Sequence, residues 1–145
     1  MTARGRLSLI VFSGDYDRVH YALVMASAAA ATGRPATLFF TMGALNALRG
    51  EQPSGLPGWA ALAGTADGAT PLDRDTRHAQ SGIATFEELI AACLGFGVAV
   101  GVCEMGMKAV GMSPGDLRPD LPVQPGGIVS FLAEAERDGG RIVFV

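Results

Sequence analysis

Four short apolar runs, each too brief for a buried helix and separated by helical lengths of chain, limit the folds open to these 145 residues more than any other feature. Leu7 to Phe12 (LSLIVF) is the first, and Ser13-Gly14-Asp15 closes it as a turn. Pro35 to Phe40 (PATLFF), Val98 to Val102 and Arg141 to Val145 (RIVFV) repeat the pattern. Strands apolar on both faces belong in a parallel sheet covered by helices on each side. The expected fold class is therefore α/β, a three-layer α/β/α arrangement with a mainly parallel sheet of about five strands.

The segments between the runs read as helices with recognisable ends. Asp17 is the expected N-cap of an alanine-rich helix, VHYALVMASAAAATG, which Gly33 closes. Thr41 caps a short helix through Leu48, and Thr85 caps FEELIAACLGF, with Glu87 and Glu88 in the first turn and Gly95 or Gly97 at the end. Glu104 to Val110 and Ile128 to Asp138 read as two more, the second stopped by Gly139-Gly140. Leu121 to Val123 reads as a brief strand within a loop region. Residues 49–82 show no such period; Gly, Pro, Ser and Asp dominate around an apolar patch at Trp59, and the segment reads as an irregular lid or interface arm.

Length and charge narrow the function classes. At 145 residues one domain, 1–145, is expected. Forty-nine per cent apolar against 17 per cent charged residues points to surface buried between copies, hence a homo-oligomer. A net charge of −3 without a Lys/Arg cluster argues against nucleic acid. The uncharged stretch from Leu89 to Cys103 is too short and too glycine-interrupted for a membrane span, and the apolar run near the N-terminus is too short for a secretory signal, so a cytoplasmic protein is expected. Two cysteines and two distant histidines offer no zinc spacing; no metal and no cofactor are expected.

In a parallel sheet the loops at the carboxyl ends of the strands meet helix N-termini, and ligands gather there. Ser13-Gly14-Asp15, Thr41 and Cys103-Glu104 are expected to share that rim. A cysteine where a strand turns into a helix gains backbone donors that favour its thiolate, whereas the Glu104 carboxylate beside it opposes ionisation. The same position also suits an inert buried thiol. Cys93, among alanines and leucines, reads as core. His20 is the one imidazole expected near the rim, a candidate acid or base or else a surface residue of a first turn; His78, in LDRDTRH with Arg74 and Arg77, reaches the site if the long segment folds over it and otherwise belongs to a solvated charged loop. Ser13 and Asp15 bind substrate or merely cap the helix. SGDYD lacks the glycine pattern of a dinucleotide or phosphate loop.

The blocks LIVFSGDYDRVHYALVMASAAAATGRPATLFFT, TFEELIAACLGFGVAVGVCEMGMKAVGM, DLRPDLPVQPGGIVSFLAEA and RIVFV together resemble the DsrE/DsrF-like family of small sulfur-handling proteins, which includes TusD. The resemblance implies a five-stranded, mainly parallel sheet, assembly as a homotrimer or homohexamer, and sulfane sulfur carried as a persulfide on one cysteine. Cys103 matches that cysteine, so the resemblance implies a sulfurtransferase or sulfur carrier that works between donor and acceptor proteins. Ser13, Gly14 and Asp15 would shape its pocket and His20 would protonate a leaving thiol. Members without the cysteine imply the alternative, a non-catalytic oligomeric subunit; a small-anion or nucleotide-binding module of the same fold is the third reading.

Overall fold

The computed structural model describes residues 5–145. Five strands form one sheet in the order β4-β3-β2-β1-β5: β1 is Leu7–Val11, β2 Ala36–Phe40, β3 Ala99–Cys103, β4 Gln124–Gly126 and β5 Arg141–Phe144. Every pairing is parallel, so the sheet is wholly rather than mainly parallel. The brief fourth strand, expected at Leu121 to Val123, starts three residues later at Gln124, and Leu121 instead turns into the core at 4 % exposure. Pro125, which has no N–H to donate, sits on the edge strand that tolerates it.

Strand order dictates how helices are shared between the faces. From β1 to β4 the chain moves steadily across the sheet, and right-handed crossovers place all the intervening helices on one side. The last crossover returns from β4 at one edge to β5 at the other and puts its helix on the opposite side. The first face is thus covered by α1 (Tyr16–Ala31), α3 (Phe86–Gly95) and a 3-10 turn (Met42–Leu48), over a core of Leu9, Val11, Leu38, Phe40, Val100 and Val102. Among the described residues α5 (Ile128–Ala135) alone covers the second face, with a small cluster of Phe39, Cys103, Phe131 and Ala135 beneath it.

α1 buries Val19, Ala22, Leu23 and Ala26, the stripe expected of a surface helix on a sheet. It starts at Tyr16 with Asp15, not Asp17, in the cap position, and Asp15 makes no side-chain cap bond. The Asp17 carboxylate faces another segment, 3.4 Å from the Arg74 guanidinium. The capping box at Thr85 and Glu88 forms as the residues suggest.

Residues 49–82 are more ordered than the sequence pattern indicates. α2 (Pro71–Gln80) lies within them, started by Thr70, whose hydroxyl accepts from the Asp73 N–H at 3.1 Å, and by proline in the first turn. Trp59 is buried at 3 % and donates its indole N–H to Glu87 at 2.7 Å. Arg118 closes the same corner with both Glu87 oxygens, at 2.9 and 2.6 Å, and with Asp120. Shortage of apolar residues hid the helix, since its stripe rests on only a few side chains and on polar contacts.

Candidate functional site

Cys103 is the last residue of β3 and the N-cap of α4 (Glu104–Ala109). Its φ and ψ of −80° and 119° are still extended, so the backbone turns from strand to helix at this residue. The N–H of Gly106 donates to its sulfur at 3.4 Å. Gly106 must be glycine: a Cβ there would stand 2.5 Å from the Thr41 hydroxyl and 2.9 Å from the Met42 nitrogen. Thr41 therefore borders the cysteine turn, and its close approach to α4 holds the donating amide in place.

The sulfur does not open onto the rim as expected. Side chains alternate along a strand; Val100 and Val102 enter the main core, while Gly101 and Cys103 face α5. There Cys103 packs with Phe39, Phe131 and Ala135 and is only 2 % exposed. The two phenylalanine rings stack at 4.5 Å between centroids and 16° between planes.

Of the other expected site residues, Ser13 and Gly14 line a crevice of about 470 Å³ at the carboxyl ends of β1 and β5, together with Phe12, Arg18, Met42 and Gly43. This is the point where the strand order reverses, the usual place for a ligand in such sheets. Cys103 does not line it. The Ser13 hydroxyl accepts from the Asp15 N–H at 3.1 Å, and Asp15 pairs through its backbone with Ala63. Both residues thus shape the loop locally. Met42 takes a left-handed φ of 49°, uncommon for a non-glycine, at the same crevice. Glu104 is exposed in the first turn of α4.

His20 is on the wrong side of the sheet to serve Cys103. It is 5 % exposed on α1, its Nε2 lies 2.9 Å from the Ala84 carbonyl and so carries the proton it donates, and its ring stacks on His78 at 4.4 Å. Burial, then the neighbouring His20, pushes the His78 imidazole below its ordinary value. Tyr16, whose hydroxyl donates to Asp75, completes this cluster; burial and that carboxylate hold it protonated far above the ordinary tyrosine range. Cys93 is core as expected: its sulfur donates to the Leu23 carbonyl at 3.7 Å, and burial pushes its thiol up to about 11. Both thiols are free. Among the described residues, no group of three His, Cys, Asp or Glu side chains is placed to hold a metal ion, and no helix is long and apolar enough to cross a membrane.

Sequence reading missed the Phe39–Phe131 pair that covers the sulfur. Its only signal was the alternation that puts Phe39, Gly101 and Cys103 on one face.

Comparison with known proteins agrees with this architecture. Residues 3–57 match the model of the DsrE/DsrF/DrsH-like family. The chain is 27 % identical to the uncharacterized protein YrkE of Bacillus subtilis (strain 168) over 157 residues, covering 97 % of this chain and 96 % of that protein. Among solved structures, the protein of unknown function MTH1491 from Methanobacterium thermoautotrophicum superposes with a TM-score of 0.57 at 15 % identity, over 97 % of this chain and 99 % of that one. The ychN protein from E. coli gives 0.56 at 13 % identity, over 98 % and 99 %. At such identities the two structures speak for the fold alone.

Proposed function

We propose, from the premise that this chain is a DsrE/DsrF-like protein, that it carries sulfane sulfur as a persulfide on Cys103 and passes it to a partner protein. The observation that carries the reading is the strand-to-helix turn at Cys103, where the Gly106 amide is aimed at the sulfur and offers a donor to a thiolate or to a persulfide's inner sulfur. The Cys103 thiolate attacks the outer sulfur of a donor persulfide; the donor's S–S bond breaks, and the donor leaves as a thiolate. An acceptor thiolate then repeats the attack on the sulfur held by Cys103. His20 takes no part.

Access is the controlling step in this reading, because the sulfur is buried. α5 has no side-chain cap, and glycine pairs flank it, Gly126-Gly127 before and Gly139-Gly140 after. Phe131 rides on that helix, so a small outward movement uncovers Cys103. Donor and acceptor proteins meet the opened site in the reducing cytoplasm. The chain works as a homotrimer or homohexamer, a reading supported by exposed apolar residues: Phe12 stacked on Phe144 at 5.4 Å, and Val129 at 80 % exposure.

The test is mass spectrometry after incubation with a persulfide donor. The protein gains the mass of a sulfur atom, Cys103→Ser abolishes the gain, and Cys93→Ser keeps it; label retained in Cys103→Ser sinks the assignment. The 2 % exposure of Cys103 favours one second reading, a non-catalytic assembly subunit. For that protein, Cys103 would react with iodoacetamide no faster than Cys93 and no sulfur would be gained.

A further inference from the structure

Because α5 is the only helix of the described residues on its face, part of the sheet beside it is bare. A groove of about 420 Å³ lies there, between α5 and the β3–β4 edge. Its floor at Gly101 carries no side chain, and a Cβ at that position would press on Phe39 at 3.2 Å. Phe39 and Phe131 form the wall between this groove and Cys103.

Three polar groups set its character. Ser8 is 1 % exposed, and its hydroxyl has no hydrogen-bond partner among the described residues, so a ligand group in the groove that accepts from it removes a desolvation cost. Arg6 is oriented by bonds from one guanidinium nitrogen to the Thr37 hydroxyl at 2.9 Å and the Ala36 carbonyl at 3.4 Å. No carboxylate of the described residues forms an ion pair with it, and a held guanidinium with donors to spare suits a carboxylate. Glu134, on α5, lines the same groove and among the described residues pairs only with Arg137 one turn on; both side chains are 63 % exposed, so the pair exchanges readily with a competing cation.

The spacing between these groups and the sulfur selects a ligand size. Thr37, which anchors Arg6, lies opposite Ala99, four residues before Cys103 on β3. At about 3.3 Å per residue the charged end of the groove is roughly 13 Å from the level of the sulfur. A tripeptide spans roughly 10–11 Å, and a hydrogen bond to Arg6 adds about 2.9 Å.

We infer that this groove binds a tripeptide-sized perthiol, R–S–SH, with an α-amino-acid headgroup, its carboxylate on Arg6, its ammonium on Glu134 and a peptide carbonyl accepting from Ser8. The inference rests on Cys103 as the sulfur carrier. With Phe131 moved aside, the Cys103 thiolate attacks the outer sulfur of R–S–SH and forms Cys103–S–SH. The S–S bond of the perthiol breaks, its electron pair leaves with R–S⁻, and R–S⁻ takes a proton from water; no external oxidant or reductant enters.

S-methylglutathione, which has this headgroup and size but cannot transfer sulfur, is the probe, followed by amide NMR shifts and titration calorimetry on the full chain. Shifts are expected at Gly101 and Ser130, with binding weakened about tenfold or more by Arg6→Gln and by the smaller change Ser8→Ala, and unchanged by Arg77→Gln on the far face. Glu134→Gln, at an exposed site, weakens S-methylglutathione but not its N-acetyl derivative. Absence of wild-type binding, or binding indifferent to Arg6, Ser8 and Glu134 together, overturns the inference. Loading of Cys103 by glutathione persulfide is read separately: binding without loading would remove the carrier reading and keep the groove, whereas loading without groove-dependent binding would do the reverse.

Discussion

Phe131 of α5 lies on Phe39 of β2 at 4.5 Å between ring centroids, and Cys103 is packed with the pair at 2 % exposure. The ring that shields the sulfur thus belongs to α5, the one helix of the described residues on its side of the sheet, and lies in a cluster separate from the main core.

Removing that shield should uncover the sulfur. Phe131→Ala is expected to raise the iodoacetamide rate at Cys103 by roughly tenfold or more, equivalent to about 1.4 kcal/mol in the opening equilibrium, with a stability loss of about 3 kcal/mol. Peptide mapping against time reads the first and chemical denaturation the second. An unchanged rate would mean that α5 does not control access.

Cys93 should behave oppositely. Burial pushes its thiol up to about 11, and it lies at 2 % exposure in the main core. Alkylation of the native protein at neutral pH is expected to leave Cys93 unlabelled while denaturant exposes it at once. Labelling of Cys93 ahead of Cys103 would contradict the core assignment.

Gly106→Ala is expected to cost about 1–3 kcal/mol by overpacking. The new Cβ would meet the Thr41 hydroxyl at 2.5 Å, and the Met42 nitrogen at 2.9 Å is backbone that cannot rotate away. Adding Thr41→Ala should therefore restore only part of the loss in urea unfolding. Full recovery would locate the clash in the hydroxyl alone.

The His20–His78 stack should make α2 sensitive to acid. His78 faces His20, Arg74, Asp75 and Asp17, and its imidazole is held below its ordinary value, first by burial. A folded value depressed below the unfolded one means stability is present above about pH 6.5 and is lost as pH falls through the folded value. His78→Gln should flatten the melting temperature across that window. A wild-type curve that does not slope there would show that the stack tolerates charge.

A second acid transition should come from Glu87. The hydrogen bond from Arg118 is the largest influence holding its carboxyl below the usual range, opposed by burial and assisted by the Trp59 indole. The resulting stability is present above about pH 4.3 and fades as pH drops through the lowered folded value. Glu87→Gln is expected to remove that slope and to cost about 1 kcal/mol or less at neutral pH, since the Glu87 side chain is 49 % exposed and solvent screens the pair.

Much of this could be read in advance, and the reasons are local. LSLIVF and PATLFF declare buried parallel strands because both faces are apolar, and Thr85 with Glu88 declares a helix start because capping is a contact between near neighbours. The turn at Cys103 was legible for the same reason. α2 was overlooked although Thr70-Pro71 and Asp73 signalled its start, since few apolar residues mark its stripe.

The direction of the sulfur and the partners of His20 were not legible. Alternation along β3 assigns Cys103 to the face away from Val102, but whether that face is open depends on where the last crossover lays α5. His20 looked like a rim residue because it follows the SGDYD loop; its actual neighbours, Ala84 and His78, are more than fifty residues away in sequence. The amino-acid order by itself determined the principal strands at Leu7, Pro35, Val98 and Arg141 and the helix start at Thr85, because those choices are made between residues a few positions apart. Which side of the sheet each side chain met, and therefore what shields Cys103 and what lines the groove beside it, was decided only when strands distant in sequence took up the order β4-β3-β2-β1-β5 and left one helix to cover the second face.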